Sequence, residues 1–131
     1  MTFDFTVTDV MPAKPKQIYD AWLDSRLHAK MTGGQPAAIT AVQGDRFTVW
    51  WGYITGRNIV LEPGRRIVQS WRTMQFQDSD FDSQIEVLLE PVVGGTRVTI
   101  HHRNMPDGLT NYRDAGWQRD YFDLMKRFFG G

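Results

Sequence analysis

The sequence predicts an α+β fold: a curved antiparallel sheet of six or seven strands wrapped around a long C-terminal helix, with two short helices after the first strand. Three observations carry this. From Asn111 to Phe129, the residues Trp117, Tyr121, Leu124, Met125 and Phe128 recur with the spacing of one face of a 3.6-residue helix, while Arg113, Gln118, Arg119, Asp120, Asp123 and Lys126 stay polar. From Ala37 to Arg103 the chain reads as short strands separated by turn signals, as in an antiparallel meander. A sheet with one wet face must bury the other, and only the C-terminal segment is long and apolar enough to cover it.

The elements follow in order. Thr2 to Met11 alternates Phe3, Phe5 and Val7 with Asp4, Thr6 and Thr8, the period of a strand with one wet face. Pro12 and Pro15 break that strand, and Pro15 suits the first turn of a short helix whose Ile18, Ala21 and Trp22 share a face. Asp24 or Ser25 ends it and caps a second short helix through Leu27, His28 and Met31, which stops at Thr32-Gly33-Gly34. Ala37 to Val42 turns at Gln43-Gly44-Asp45 into Arg46 to Ile54, followed by Arg57 to Glu62. Pro63-Gly64 turns into Arg66 to Met74, and Gln77 to Phe81 is a polar loop. Gln84 to Glu90 and Thr96 to Arg103 pair across Val93-Gly94-Gly95-Thr96, with Ile85, Val87 and Leu89 opposing Val98, Ile100 and His102. Thr110 or Asn111 caps the last helix, and Gly130-Gly131 ends it. A length of 131 residues fits one domain over residues 1–131.

Composition narrows the function classes. Apolar residues make up 41% of the chain and aromatics 13%, including five Trp and eight Phe, which suits a packed core and not a disordered chain. Fifteen basic residues balance fifteen acidic ones, so there is no overall field to draw in nucleic acid or an anionic membrane. Without cysteine there is no disulfide, thiolate metal site or cysteine nucleophile. No apolar run reaches a membrane-spanning length, and Thr2 to Asp9 alternates where a signal peptide would carry an apolar block. A soluble cytoplasmic protein is the expectation.

At Gly52 to Arg72, GYITGRNIVLEPGRRIVQSWR, the chain resembles the domain family named for the activator of the ninety-kilodalton heat-shock chaperone's ATPase, within the START-like (SRPBCC) superfamily of helix-grip proteins. The resemblance extends to SRLHAKMTGG after the first helix, LEPVVGGTRVTIHH and GWQRDYFDLMKR, so it covers nearly the whole chain. It implies a cavity between sheet and long helix, used elsewhere in the superfamily for lipids, sterols, plant hormones or polyketides. It also implies a chaperone partner and a place in the stress response. The family's activator carries a further N-terminal domain, whereas this sequence opens directly on its first strand; chaperone activation is accordingly the second expectation.

The first expectation is a non-catalytic domain that holds a small apolar or amphipathic ligand between sheet and helix. Trp71, Trp117, Tyr121 and Met125 would form the walls with Tyr53, and His102 and Gln69 would be the polar contacts. Trp50 and Trp51, adjacent on a strand, would face opposite ways, and the outward one would mark a dimer interface in a chain that is either monomer or homodimer. Arg65 and Arg66 flank a hairpin turn, where they are solvent-facing charges or a dock for an acidic partner, and Arg72 would pair a carboxylate such as Glu86 or meet a ligand anion. A cyclase- or dehydratase-type enzyme is the third expectation, with His102, Tyr53 and Arg72 posed as acid and base. His101 and His102 alternate on one strand, and His28 sits on a distant helix, so no metal is expected. No P-loop, GxGxxG or GxSxG is present, and no cofactor is expected.

Overall fold

The computed structural model describes residues 1–130; Gly131 lies outside the described residues, as does its part in ending the last helix. Strand β1 (Thr2–Met11) leads into helices α1 (Pro15–Trp22) and α2 (Ser25–Met31). Strands β2 (Ala37–Ala38), β3 (Arg46–Val49), β4 (Ile54–Glu62), β5 (Arg66–Thr73), β6 (Ser83–Val92) and β7 (Gly95–Pro106) follow. They form one seven-stranded sheet, ordered β1-β7-β6-β5-β4-β3-β2, with every neighbouring pair antiparallel. The register of β6 on β7 places Ile85 opposite His102, Val87 opposite Ile100 and Leu89 opposite Val98, as the two alternating patterns require.

Local chemistry explains the helix starts. Pro15 occupies the first turn of α1, where its missing N–H costs nothing, and the Lys14 N–H donates to Gln17 Oε1 at 2.9 Å. Asp24 caps α2 by accepting from the Leu27 N–H at 2.9 Å.

Three expectations fail locally. The strand expected over Ala37 to Val42 pairs only at Ala37 and Ala38. Trp50 and Trp51 are not in a strand: β3 ends at Val49, and Trp50, Trp51 and Gly52 form a left-handed turn with φ of 54°, 60° and 80°. Aromatic residues favour strands, but here the chain must reverse, and the turn closes by a bond from the Tyr53 N–H to the Trp50 carbonyl at 2.9 Å. The C-terminal helix, residues 111–130, is not a uniform 3.6-residue helix and has no side-chain cap at Asn111. It opens with two wide turns, Tyr112–Gly116 and Gln118–Phe122, in which the N–H of Trp117 reaches the Tyr112 carbonyl and that of Asp123 the Gln118 carbonyl, and then tightens into α3 (Asp123–Gly130). Widening rotates the buried face, so that Tyr112, Trp117, Tyr121, Phe122 and Met125 are inside while Leu124 and Phe128 are half-buried.

Between helix and sheet lies a layer of aromatic rings. Trp117 sits 5.0 Å from Trp71 and 4.9 Å from Tyr121, and Trp22 of α1 sits 5.1 Å from Tyr121. Gly56 permits close packing there: a Cβ at that position would lie 2.0 Å from the Ser70 carbonyl oxygen and 2.6 Å from the Phe47 ring.

Candidate functional site

Six of the seven expected site residues meet in the aromatic layer. Gln69, Trp71, His102, Trp117, Tyr121 and Met125 are each 0% exposed. Strands β5 and β7 deliver the first three from their inner face, and the C-terminal helix delivers the rest.

His102 uses both ring nitrogens. Trp117 Nε1–H donates to Nδ1 at 3.2 Å, so Nδ1 is the unprotonated nitrogen, and Nε2–H donates to Ser83 Oγ at 2.9 Å. Ser83 in turn donates to the Trp71 carbonyl. Burial pushes the His102 pKa down to about 3, with the distant charge of Asp4 opposing the shift. A neutral imidazole with two protein partners ties helix to sheet and leaves no nitrogen for a substrate.

Gln69 is equally occupied. Its Oε1 accepts from Trp22 Nε1–H at 3.1 Å and its Nε2 donates to Asn58 Oδ1 at 2.9 Å. Asn58 donates onward to the carbonyls of Thr40 and Val42 at 2.8 and 3.1 Å, fastening the loop before β3. His28, set apart by sequence because α2 is distant in the chain, folds into the same layer at 1% exposure. Its Nδ1–H donates to the Trp22 carbonyl at 2.7 Å and its Nε2 accepts from the Tyr121 hydroxyl at 2.9 Å. Burial holds its pKa at about 4, with the Trp22 hydrogen bond opposing. The Leu27–His28–Met31 spacing marks an inward face, but nothing local identifies Tyr121, 93 residues away, as the partner.

The expected polar contacts are thus spent within the protein, and the rings fill the space around them. Tyr53 alone of the seven lines an opening, a groove of about 270 Å³ between the left-handed turn and the wide helical turns. Trp50 and Tyr112 share its wall, and Arg119 and Asp120, paired through two bonds of 2.9 and 3.0 Å, form its rim. Burial raises the Tyr112 pKa, so its hydroxyl stays protonated. Among the described residues, the indole N–H groups of Trp50 and Trp71 are the buried side-chain polar atoms without a partner.

Other placements differ from expectation. Arg72 does not meet Glu86: it points to the outer face of the sheet, where Nη1 donates to the Asp80 carbonyl at 2.8 Å and to Asp82 Oδ1 at 3.2 Å. Adjacent strand residues face opposite ways, so with Trp71 inside, Arg72 is outside, and His102, Tyr53 and Arg72 do not converge on one point. Glu86 is taken by Arg66 at 2.6 Å and Arg103 at 3.3 Å; burial would raise its pKa, but these two cations outweigh burial and hold it low. The basic hairpin is likewise engaged, with Arg65 and Arg66 both on Glu62. Among the described residues no three His, Asp or Glu side chains group as metal ligands, and no helix is long and apolar enough to cross a membrane.

The fold and sequence match known proteins throughout. Murine and human proteins named activator of 90 kDa heat shock protein ATPase homolog 1 are 27% and 26% identical over 98% of this chain, which spans only 38% of their length. A crystal structure titled as an HSP90 activator from Plasmodium falciparum superposes with a TM-score of 0.87 at 20% identity, covering 97% of this chain and 96% of that one. The profile of the family described as activator of Hsp90 ATPase homolog 1-like protein matches residues 12–130, and the chain belongs to that family.

Proposed function

We propose that this chain acts as a protein-binding module of the chaperone-activator kind, engaging a ninety-kilodalton heat-shock chaperone through its surface. The observation that carries this reading is the closed interior: Gln69, Trp71, His102, Trp117, Tyr121 and Met125 are wholly buried, and the polar groups of Gln69, His102 and Tyr121 are bonded within the chain. The names of the curated relatives supply the partner class. The test is binding to a purified chaperone of this type by calorimetry, with its ATP hydrolysis followed in parallel. Binding accompanied by a changed hydrolysis rate supports the proposal; no heat and an unchanged rate at saturating domain reject it.

A second reading rests on the Trp50 groove. A left-handed aromatic pair, a buried indole N–H without partner and about 270 Å³ of open space would suit a small amphipathic molecule bearing a hydrogen-bond acceptor. Tyr53 would contact it directly, and the other six expected residues would form the floor, reached only if the wide helical turns part from the sheet. Titration with a panel of aromatic and lipid-like fragments, read by tryptophan fluorescence, tests this. Shifts abolished by Trp50→Phe support it, and an unchanged spectrum across the panel rejects it.

A further inference from the structure

The outer face of β3, β4 and β5 carries an arrangement that folding alone does not favour. Arg46 and Arg57 stand directly opposite each other across β3 and β4, both exposed. Like charges so placed repel and destabilise a sheet. Among the described residues neither forms an ion pair with a carboxylate; the Arg57 guanidinium donates one bond, to the Gly44 carbonyl at 3.0 Å. Two residues further along the strands, Thr48 faces Thr55 and Thr55 faces Arg72. Arg72 is held rigid by Asp82 and by the carbonyls of Asp80 and Gln77. These side chains border a groove of about 350 Å³ in which three guanidinium groups meet one carboxylate, that of Asp82.

We infer that this face is a docking surface for an extended, acidic segment of a partner protein, with carboxylates at alternate positions. The inference rests on the partner-binding reading above and names the chemistry of the contact. Charge complementarity selects an anion, and spacing selects its form. Residues two apart on a strand are separated by about 6.8 Å, which separates the Arg46–Arg57 rung from the rung of Thr48, Thr55 and Arg72. Alternate side chains of an extended peptide repeat at that same distance, whereas a single phosphate is too small to span both rungs. The hydroxyls of Thr48 and Thr55 add donors beside Arg72 within the second rung.

The experiment uses the full chain and a fluorescent peptide with glutamate at every second position, followed by anisotropy at low and high salt. Expected is binding that weakens as salt rises, roughly two- to thirtyfold weaker for Arg46→Gln/Arg57→Gln as two surface ion pairs are lost. The glutamine version of the peptide should bind weakly as well. Arg97→Gln, which breaks only the Arg97–Glu90 pair elsewhere on the sheet, should leave binding unchanged. The double variant should unfold at an equal or higher urea concentration, because the repelling pair is gone, so lost binding is not lost folding. Unchanged affinity in the double variant, or displacement of the peptide by inorganic phosphate or by an oligonucleotide of equal charge, overturns the inference. Assayed against the chaperone itself, a double variant that loses the peptide but keeps the chaperone removes this face from the contact and leaves the partner reading standing. Peptide binding without chaperone binding sinks the partner reading and leaves the acidic-segment surface in place.

Discussion

Lowering the pH from 7 to 5 should strip this protein of a large part of its stability through two histidines. His28 and His102 are buried at 1% and 0% exposure, with pKa values of about 4 and about 3 against an ordinary 6.5. Because the folded pKa lies below the unfolded one, the unfolded chain takes up the proton first, as pH falls through 6.5. The stability each neutral imidazole contributes is therefore complete above that value, declines as pH falls, and stops declining once the folded pKa is passed. Between pH 7 and 5 each site costs roughly 2 kcal/mol, so the pair costs roughly 4 kcal/mol, a sizeable part of the 5–15 kcal/mol that holds a small domain. Carboxylates held low by cations, such as Glu62 and Glu86, lose their contribution only at more acid pH, which leaves this window to the histidines. With an m-value of roughly 2 kcal/mol/M, the urea midpoint followed by tryptophan fluorescence should fall by about 2 M. His28→Gln and His102→Gln should each lower the midpoint at pH 7 and each halve the pH dependence. A midpoint that stays constant from pH 7 to 5, or variants with the full slope, would refute the assignment of both rings as buried and neutral.

Other expectations follow from the same core. Trp117→Ala removes a ring packed on Trp71 and Tyr121 together with the donor to His102, and should cost about 3–5 kcal/mol in urea unfolding. Gln69→Leu leaves the Trp22 indole N–H and Asn58 Oδ1 unpaired in the interior and should cost about 1–3 kcal/mol for each; thermal melting gives the value. Gly56→Ala drives a methyl group into the Ser70 carbonyl, and failure to recover folded protein by circular dichroism is the expected outcome.

Much of the architecture was legible because it is written in local periods. Alternation in β6 and β7 and the two-glycine turn between them set which residues face one another, and those pairings stand in the sheet. Aromatic residues beside β3 misled for a physical reason: Trp50 and Trp51 have strand propensity, but propensity yields when chain reversal requires positive φ, and Gly52 was the one local hint. The widened helical turns had no local signal either, since a 3.6-residue stripe fits Trp117, Tyr121 and Met125 in both geometries.

What the amino-acid order by itself determined is the set of amphipathic surfaces: a sheet with one apolar face, a C-terminal segment able to cover it, and His102 on the inward side. Tertiary structure alone decided what those surfaces do on meeting. Whether rings fill a gap or leave it open depends on summed volumes and ring angles, and which donor satisfies His102, His28 or Gln69 depends on contacts between residues 11 to 93 positions apart. Periodicity is a property of neighbours along the chain, whereas closure of the interior is a property of neighbours in space.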